Sequence, residues 1–147
     1  MSVGARLRRL LGSLADGFVT SSAFRWTWAA PEKASVKTKL LEIRPADAHS
    51  VADMMLGQYL MAQRLVDTGG SSPFAVKYGH DEWFEDLHSY SWLRHFSSAH
   101  DEGAKKFAGT LILDWVSRYG RFSPTVWDNK ITSLRVLNWV KHFDLLC

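Results

Sequence analysis

Residues 127–143 read WDNKITSLRVLNWVKHF. Asp128 stands where an N-cap side chain would accept from the first amides of a helix. Beyond it, Ile131, Leu134, Val136, Leu137, Val140 and Phe143 recur on more than one helical face. That spread predicts a helix buried on two sides. Arg135 and Asn138 are three residues apart, hence on one face of that helix, and apolar neighbours flank both. They are therefore expected to be buried or to line a cleft. A buried arginine needs partners, and Asp86 or Asp114 is the expected one.

Working back from this stretch, residues 102–119 place Phe107, Leu111 and Trp115 at spacings of four, which is helical periodicity. Gly120 follows as a stop signal of the left-handed C′ type. A further helix is predicted over 81–98. Asp81, Glu82, Glu85 and Asp86 crowd its start, as the helix dipole favours. Trp83, Leu87 and Tyr90 or Ser91 trace one stripe, and Phe84, His88 and Trp92 trace its neighbour. Asp67-Thr68-Gly69-Gly70-Ser71-Ser72-Pro73 is a loop by composition. Pro45-Ala46-Asp47 opens an earlier helix with Val51, Met54 and Met55 as its apolar face. Gly57 weakens any continuation, and residues 58–66 fit a helix or an extended segment equally well.

The chain has 147 residues, a length that favours one domain. Hydrophobic residues make up 46% and charged residues 22%, near the globular average, which excludes disorder and collagen-like repeats. Seven Trp, eight Phe and four Tyr make the chain rich in aromatics. The single cysteine, Cys147, excludes an intrachain disulfide and any multi-cysteine zinc site. No apolar run approaches the roughly 20 residues of a membrane-spanning helix. Net charge is +3, too small to argue for nucleic acid.

That charge is unevenly distributed. Residues 1–44 carry +5, residues 45–100 carry −4 and residues 101–147 carry +2. The domain division follows it: a basic arm and linker over 1–44, and a helical domain over 45–147. In the arm, Leu7, Leu10, Leu11, Leu14 and Phe18 step by three and four beside Arg6, Arg8 and Arg9. A membrane-surface helix, a poor signal peptide and a helix packed on its own domain all fit that pattern. Phe24, Trp26 and Trp28 alternate after it, and residues 31–39 read as a linker or irregular arm.

No Gly-rich phosphate loop, Gly-x-Ser-x-Gly elbow or His-Glu-x-x-His pattern is present. The sequence provides no expected metal ligands, cofactor or catalytic set. Two segments nevertheless carry a recognisable pattern. Leu87, His88, Tyr90, Trp92 and Leu93 form a Leu-His-aromatic-x-aromatic-Leu run, and Trp127, Ser133, Leu134, Arg135, Asn138 and Trp139 form a Trp…Ser-Leu-Arg-x-x-Asn-Trp run. Together, and with the Ser72-Pro73-Phe74 loop before them, they resemble the N-terminal helical domain of the heparinase II/III family over residues 45–147.

The resemblance implies an all-α fold of antiparallel helices forming part of an incomplete α/α toroid. It also implies a bacterial polysaccharide lyase of the cell envelope or periplasm that acts on acidic polysaccharides by β-elimination, with a cytoplasmic location as the alternative because the arm is a poor signal peptide. Such chemistry needs a group that neutralises the uronate carboxylate, a base for the C5 proton and an acid for the leaving oxygen. His88, Tyr90, Arg135, Asn138 and Trp139 are the expected substrate-binding residues, and Trp92 and Trp127 could add stacking faces. Each also has a purely structural reading as a core or network residue. The family's Asn-His helix, its later Tyr/His segment and its β-sandwich have no counterpart in this sequence. The chain is therefore expected to be the inactive front part of a longer enzyme, an expectation that its apolar last residues reinforce. The alternative is a small non-catalytic helical protein that binds a partner or glycan through aromatic surfaces.

Overall fold

A computed structural model describes residues 40–76, 81–99 and 101–145. The expectations for the arm before residue 40 lie outside these residues, as do His100, Leu146 and Cys147. Five α-helices follow in order among the described residues: α1 (Ala48–Met55), α2 (Glu82–His88), α3 (Leu93–Ser98), α4 (Glu102–Tyr119) and α5 (Asn129–Lys141). Between α1 and α2 lies a two-stranded antiparallel hairpin, β1 (Gln58–Met61) and β2 (Arg64–Asp67). The described fold is thus mostly helical, with one small sheet that the all-α expectation lacked.

Four helix starts are capped by aspartates, the expected Asp128 among them. Asp47, Asp81, Asp101 and Asp128 accept from the amides of His49, Phe84, Ala104 and Lys130. In α4 the buried stripe is Ala104, Ala108, Leu111 and Trp115, stepping four, three and four. Gly120 does follow α4, but at φ −62°, so no left-handed cap is formed. Glycine is required there for space: a Cβ would collide with the carbonyl of Val116. In α1, Val51 and Met54 are buried, whereas Met55 is 48% exposed and leaves the predicted apolar face.

The hairpin resolves residues 58–66. Tyr59 pairs with Val66 on the buried face, and Leu60 pairs with Leu65 on the exposed one. Its two turn residues, Ala62 and Gln63, both have positive φ (48° and 60°), as a type I′ turn demands. Neither residue type announces such a turn, which is why the segment read ambiguously. The turn is held from outside: the Ala62 amide donates to Asp86 Oδ2 at 3.1 Å, and Trp83 Nε1 donates to the Tyr59 carbonyl at 3.3 Å. Gly57 (φ +87°) lets the chain enter the hairpin, where a Cβ would lie 3.0 Å from the Gly70 amide nitrogen.

The predicted continuous helix over 81–98 is broken in two. Tyr90 sits at φ +60° between α2 and α3. In an unbroken helix the carbonyls of Leu87, His88 and Ser89 would accept from the amides of residues 91–93. Side chains take them instead, with the Tyr90 amide also reaching Leu87 O at 3.4 Å. Trp92 Nε1 donates to Leu87 O at 3.1 Å, Arg135 Nη1 to His88 O at 3.3 Å, and Asn138 Nδ2 to Ser89 O at 2.8 Å. The Ser91 amide reaches back to Asp86 O and the Leu93 amide to Tyr90 O.

The hairpin turn offers a direct test. Replacing Ala62→Asn together with Gln63→Gly supplies residues that tolerate positive φ, while the backbone bond to Asp86 remains. Urea denaturation should show a stabilisation of about 1 kcal/mol. A loss of stability would mean that this turn geometry is wrong.

Candidate functional site

The expected substrate-binding residues do come together, but in the interior. His88, Tyr90, Arg135 and Asn138 are buried, at 2%, 0%, 1% and 3% exposure, and Trp139 is partly buried. The reason lies in α5. Its inward stripe is Ile131, Arg135 and Asn138, followed by His142 at its end. Leu134, Val136 and Leu137 point outward, at 40%, 51% and 42% exposure. This corrects the prediction of a helix buried through its apolar residues. The polar residues go inside because the break after α2 presents carbonyls that only donors can satisfy.

Arg135 occupies an aromatic box. Its guanidinium carbon lies 4.4 Å from the Trp115 ring centroid, 4.9 Å from Trp127 and 5.9 Å from Trp139. Nη1 donates to the carbonyls of His88 and Val126, and Nη2 to Thr132 Oγ1 at 3.1 Å. The expected carboxylate partner is absent from these contacts. Asp86 binds the hairpin turn, while Asp114 binds Ser72 and Arg118. With carbonyl dipoles and ring faces replacing an anion, burial pulls the Arg135 pKa below its ordinary value.

Asn138 bridges two parts of the chain. Its amide group binds Ser89 O, and its Oδ1 accepts from Arg44 Nη2 at 2.8 Å. Arg44 in turn grips Glu42 through Nε at 2.9 Å and Nη2 at 2.7 Å. Those charge-assisted bonds hold the Glu42 carboxyl well below the usual carboxylate range, against an opposing desolvation effect. Glu42 and Arg44 thus bond directly to the helical unit, a role that sequence reading assigned to neither. Two charges two residues apart carry no signal of a partner 94 positions away.

His88 accepts at Nδ1 from Trp115 Nε1 at 3.0 Å. An indole N–H only donates, so any proton of the neutral ring sits on Nε2. The ring also packs against Phe84 at 4.2 Å and Tyr119 at 5.0 Å. Tyr90 packs against Trp92, Trp115 and Trp139, with ring centroids 5.2–5.6 Å apart. Its hydroxyl has no hydrogen-bond partner among the described residues, and burial drives its pKa upward. Held neutral and enclosed, it has no access to a proton outside. Trp139 Nε1 is likewise buried and unpaired. Trp92 and Trp127 spend their N–H groups on the carbonyls of Leu87 and Tyr119. The aromatics expected to stack on sugars form much of the core.

A cavity of about 540 Å³ lies elsewhere, between residues 40–42, the end of α3 and the end of α5, and none of the five expected residues lines it. Among the described residues, no group of three or more His, Cys, Asp or Glu is arranged to hold a metal ion.

The chain matches no protein-family model, no curated protein and no solved structure.

Two substitutions test this interior. Arg135→Ala leaves the carbonyls of His88 and Val126 unsatisfied and empties the aromatic box. It should destabilise the protein by about 3 kcal/mol in chemical denaturation. A change below about 0.5 kcal/mol would mean that the guanidinium faces solvent. Tyr90→Phe removes a hydroxyl that makes no bond. Stability should be unchanged or rise by up to about 1 kcal/mol, and a clear loss would reveal a bonded hydroxyl.

Proposed function

We propose that this chain is the N-terminal helical part of a heparinase II/III-like polysaccharide lyase, a segment that builds the frame of an acidic-polysaccharide groove and supplies no catalytic group for the elimination. The observation that carries the proposal is the meeting of the two family-like motifs. Leu87–Leu93 and Trp127–Trp139 are separated in sequence, yet they interlock through Arg135, Asn138 and the carbonyls of His88 and Ser89. A pair of motifs that together terminate one helix and seat another has a folding reason to occur together. In this reading the five expected residues shape the wall behind a groove, and substrate contact falls to residues outside the described part.

The outer face of α5 supports a larger helical domain. Leu134, Val136 and Leu137 are exposed there, on a helix whose inner face is already occupied. In an incomplete α/α toroid the next helix would cover such a face. The same surface also fits the second reading, a non-catalytic helical protein that docks a partner. Under that reading the contact would run through aliphatic rather than aromatic side chains, since every described aromatic residue except Phe122 is buried or partly buried. Placement in the cell envelope or at a membrane surface belongs to the lyase reading and rests on the resemblance.

The coding sequence beyond codon 147 distinguishes the two. The lyase reading expects an open frame that encodes the family's Tyr/His segment and a β-sandwich; a stop codon there would overturn it. Incubated with heparan-type or alginate-type polysaccharide, the 147-residue chain alone should give no growth of the near-ultraviolet absorbance of unsaturated uronates. Such growth, from pure protein, would contradict the absence of groups for the elimination.

A further inference from the structure

The cavity of about 540 Å³ carries chemistry that the lyase reading does not use. Three side chains are arranged in series along its wall. Ser97 is exposed near the end of α3, and its Oγ lies 2.6 Å from His142 Nδ1. His142, at the end of α5, is only 5% exposed. Its Nε2 has no hydrogen-bond partner among the described residues and lies 3.5 Å from Glu42 Oε2, near enough to sense the charge but outside hydrogen-bond geometry. Glu42 is itself immobilised, by two side-chain bonds and one backbone amide bond from Arg44 and by Lys141 Nζ at 3.4 Å.

The charge placement sets the tautomer. A carboxylate beside Nε2 favours the ring proton on that nitrogen, which leaves Nδ1 free to accept the Ser97 hydroxyl proton. Burial lowers the His142 pKa, so the ring is a neutral base at neutral pH. Ser97 Oγ also lies 3.4 Å from the Leu93 carbonyl, a longer and competing acceptor. An accessible nucleophile in contact with a base, with a fixed carboxylate behind that base and beside a cavity, is the order of groups in a hydrolytic triad, here with the carboxylate 3.5 Å from the ring and acting on it through its charge.

We propose that Ser97, His142 and Glu42 form a nucleophile, a general base and a positioning acid for acyl transfer from small carboxylic esters bound in this cavity. Ser97 Oγ bonds to the ester carbonyl carbon as its proton passes to His142 Nδ1. The carbon–alkoxy bond then breaks, and the departing alcohol takes that proton. Water attacks the acyl-Ser97 ester in the same manner, giving up a proton through His142, and releases the carboxylic acid with Ser97 restored. Lys105 and Lys141 line the cavity, with their ammonium groups paired to Glu102 and Glu42, while Leu41, Phe96 and Leu145 give the acyl chain an apolar wall.

A fluorophosphonate probe tests this on the chain as it stands. The Ser97 Oγ–phosphorus bond should form as the phosphorus–fluorine bond breaks, with fluoride leaving and the hydroxyl proton passing to His142. Peptide mass mapping should find the adduct on Ser97. Ser97→Ala, a change at an exposed position, should abolish it while the far-ultraviolet circular dichroism is unchanged. His142→Gln should slow labelling by at least about tenfold.

The pH profile provides a readout that does not depend on a variant folding. The ring faces Glu42 and Arg44 from residues 42–44, Ser97 from α3, Lys105 across the cavity from α4, and Lys141 and Asp144 from its own segment. Labelling of the unaltered chain should rise with pH as His142 loses its proton, then level off. In Glu42→Gln the plateau should fall and the rise should move to lower pH, because a carboxylate that favours the protonated ring is gone. No adduct on the unaltered chain from mildly acidic to mildly alkaline pH, or an adduct that survives Ser97→Ala, would overturn the proposal. So would a labelling rate that does not change with pH.

Discussion

Three carbonyls at the end of α2 govern much of this structure. Once Leu87, His88 and Ser89 give up their helical partners, buried acceptors must be satisfied by something else, because leaving each unmet costs about 1–3 kcal/mol. Trp92, Arg135 and Asn138 do this. The consequences spread outward. Tyr90 is forced into the left-handed region and drives its ring into the core. The α5 helix must turn its polar side inward, so its leucines face out. Arg44, and through it Glu42, is drawn to the remaining oxygen of Asn138.

A buried guanidinium without a carboxylate needs an energetic account. Its desolvation is of the order of several kcal/mol. Against this stand bonds to two carbonyls and a hydroxyl, each about 1.5–3 kcal/mol when the donor is charged. Three indole faces add up to about 2 kcal/mol each when water is excluded. These terms are comparable in size, so the arginine can stay charged and buried without an anion. Lysine could not reproduce the arrangement, since the planar fork spans the His88 and Val126 carbonyls while stacking on the rings.

Much of the helical framework was legible in the sequence. The Asp128 cap, the bounds of α4 and the start of α5 follow from local rules. Burial of the Arg135 and Asn138 pair follows as well, since apolar neighbours flank both. What local rules could not yield were effects imposed from a distance. The stripe Trp83, Leu87, Tyr90 fits an unbroken helix, and nothing local announces that Arg135 and Asn138, 47 and 49 positions onward, will take the carbonyls of His88 and Ser89. The hairpin turn lacks the Asn-Gly signature because Asp86 holds it in place. The relay at Ser97 was hidden for the same reason, since its members lie 45 to 100 positions apart.

The central claim is that Arg135, the most site-like residue of the chain, is a structural fastening rather than a ligand for acidic sugars. The guanidinium N–H signals of Arg135 in a nitrogen–proton NMR spectrum, recorded while an acidic oligosaccharide is added, test it directly. Bonds to fixed carbonyls and a hydroxyl inside an aromatic box predict separately resolved, slowly exchanging Nη protons whose shifts do not move with oligosaccharide. A single averaged, fast-exchanging signal that shifts in proportion to added oligosaccharide would contradict the account.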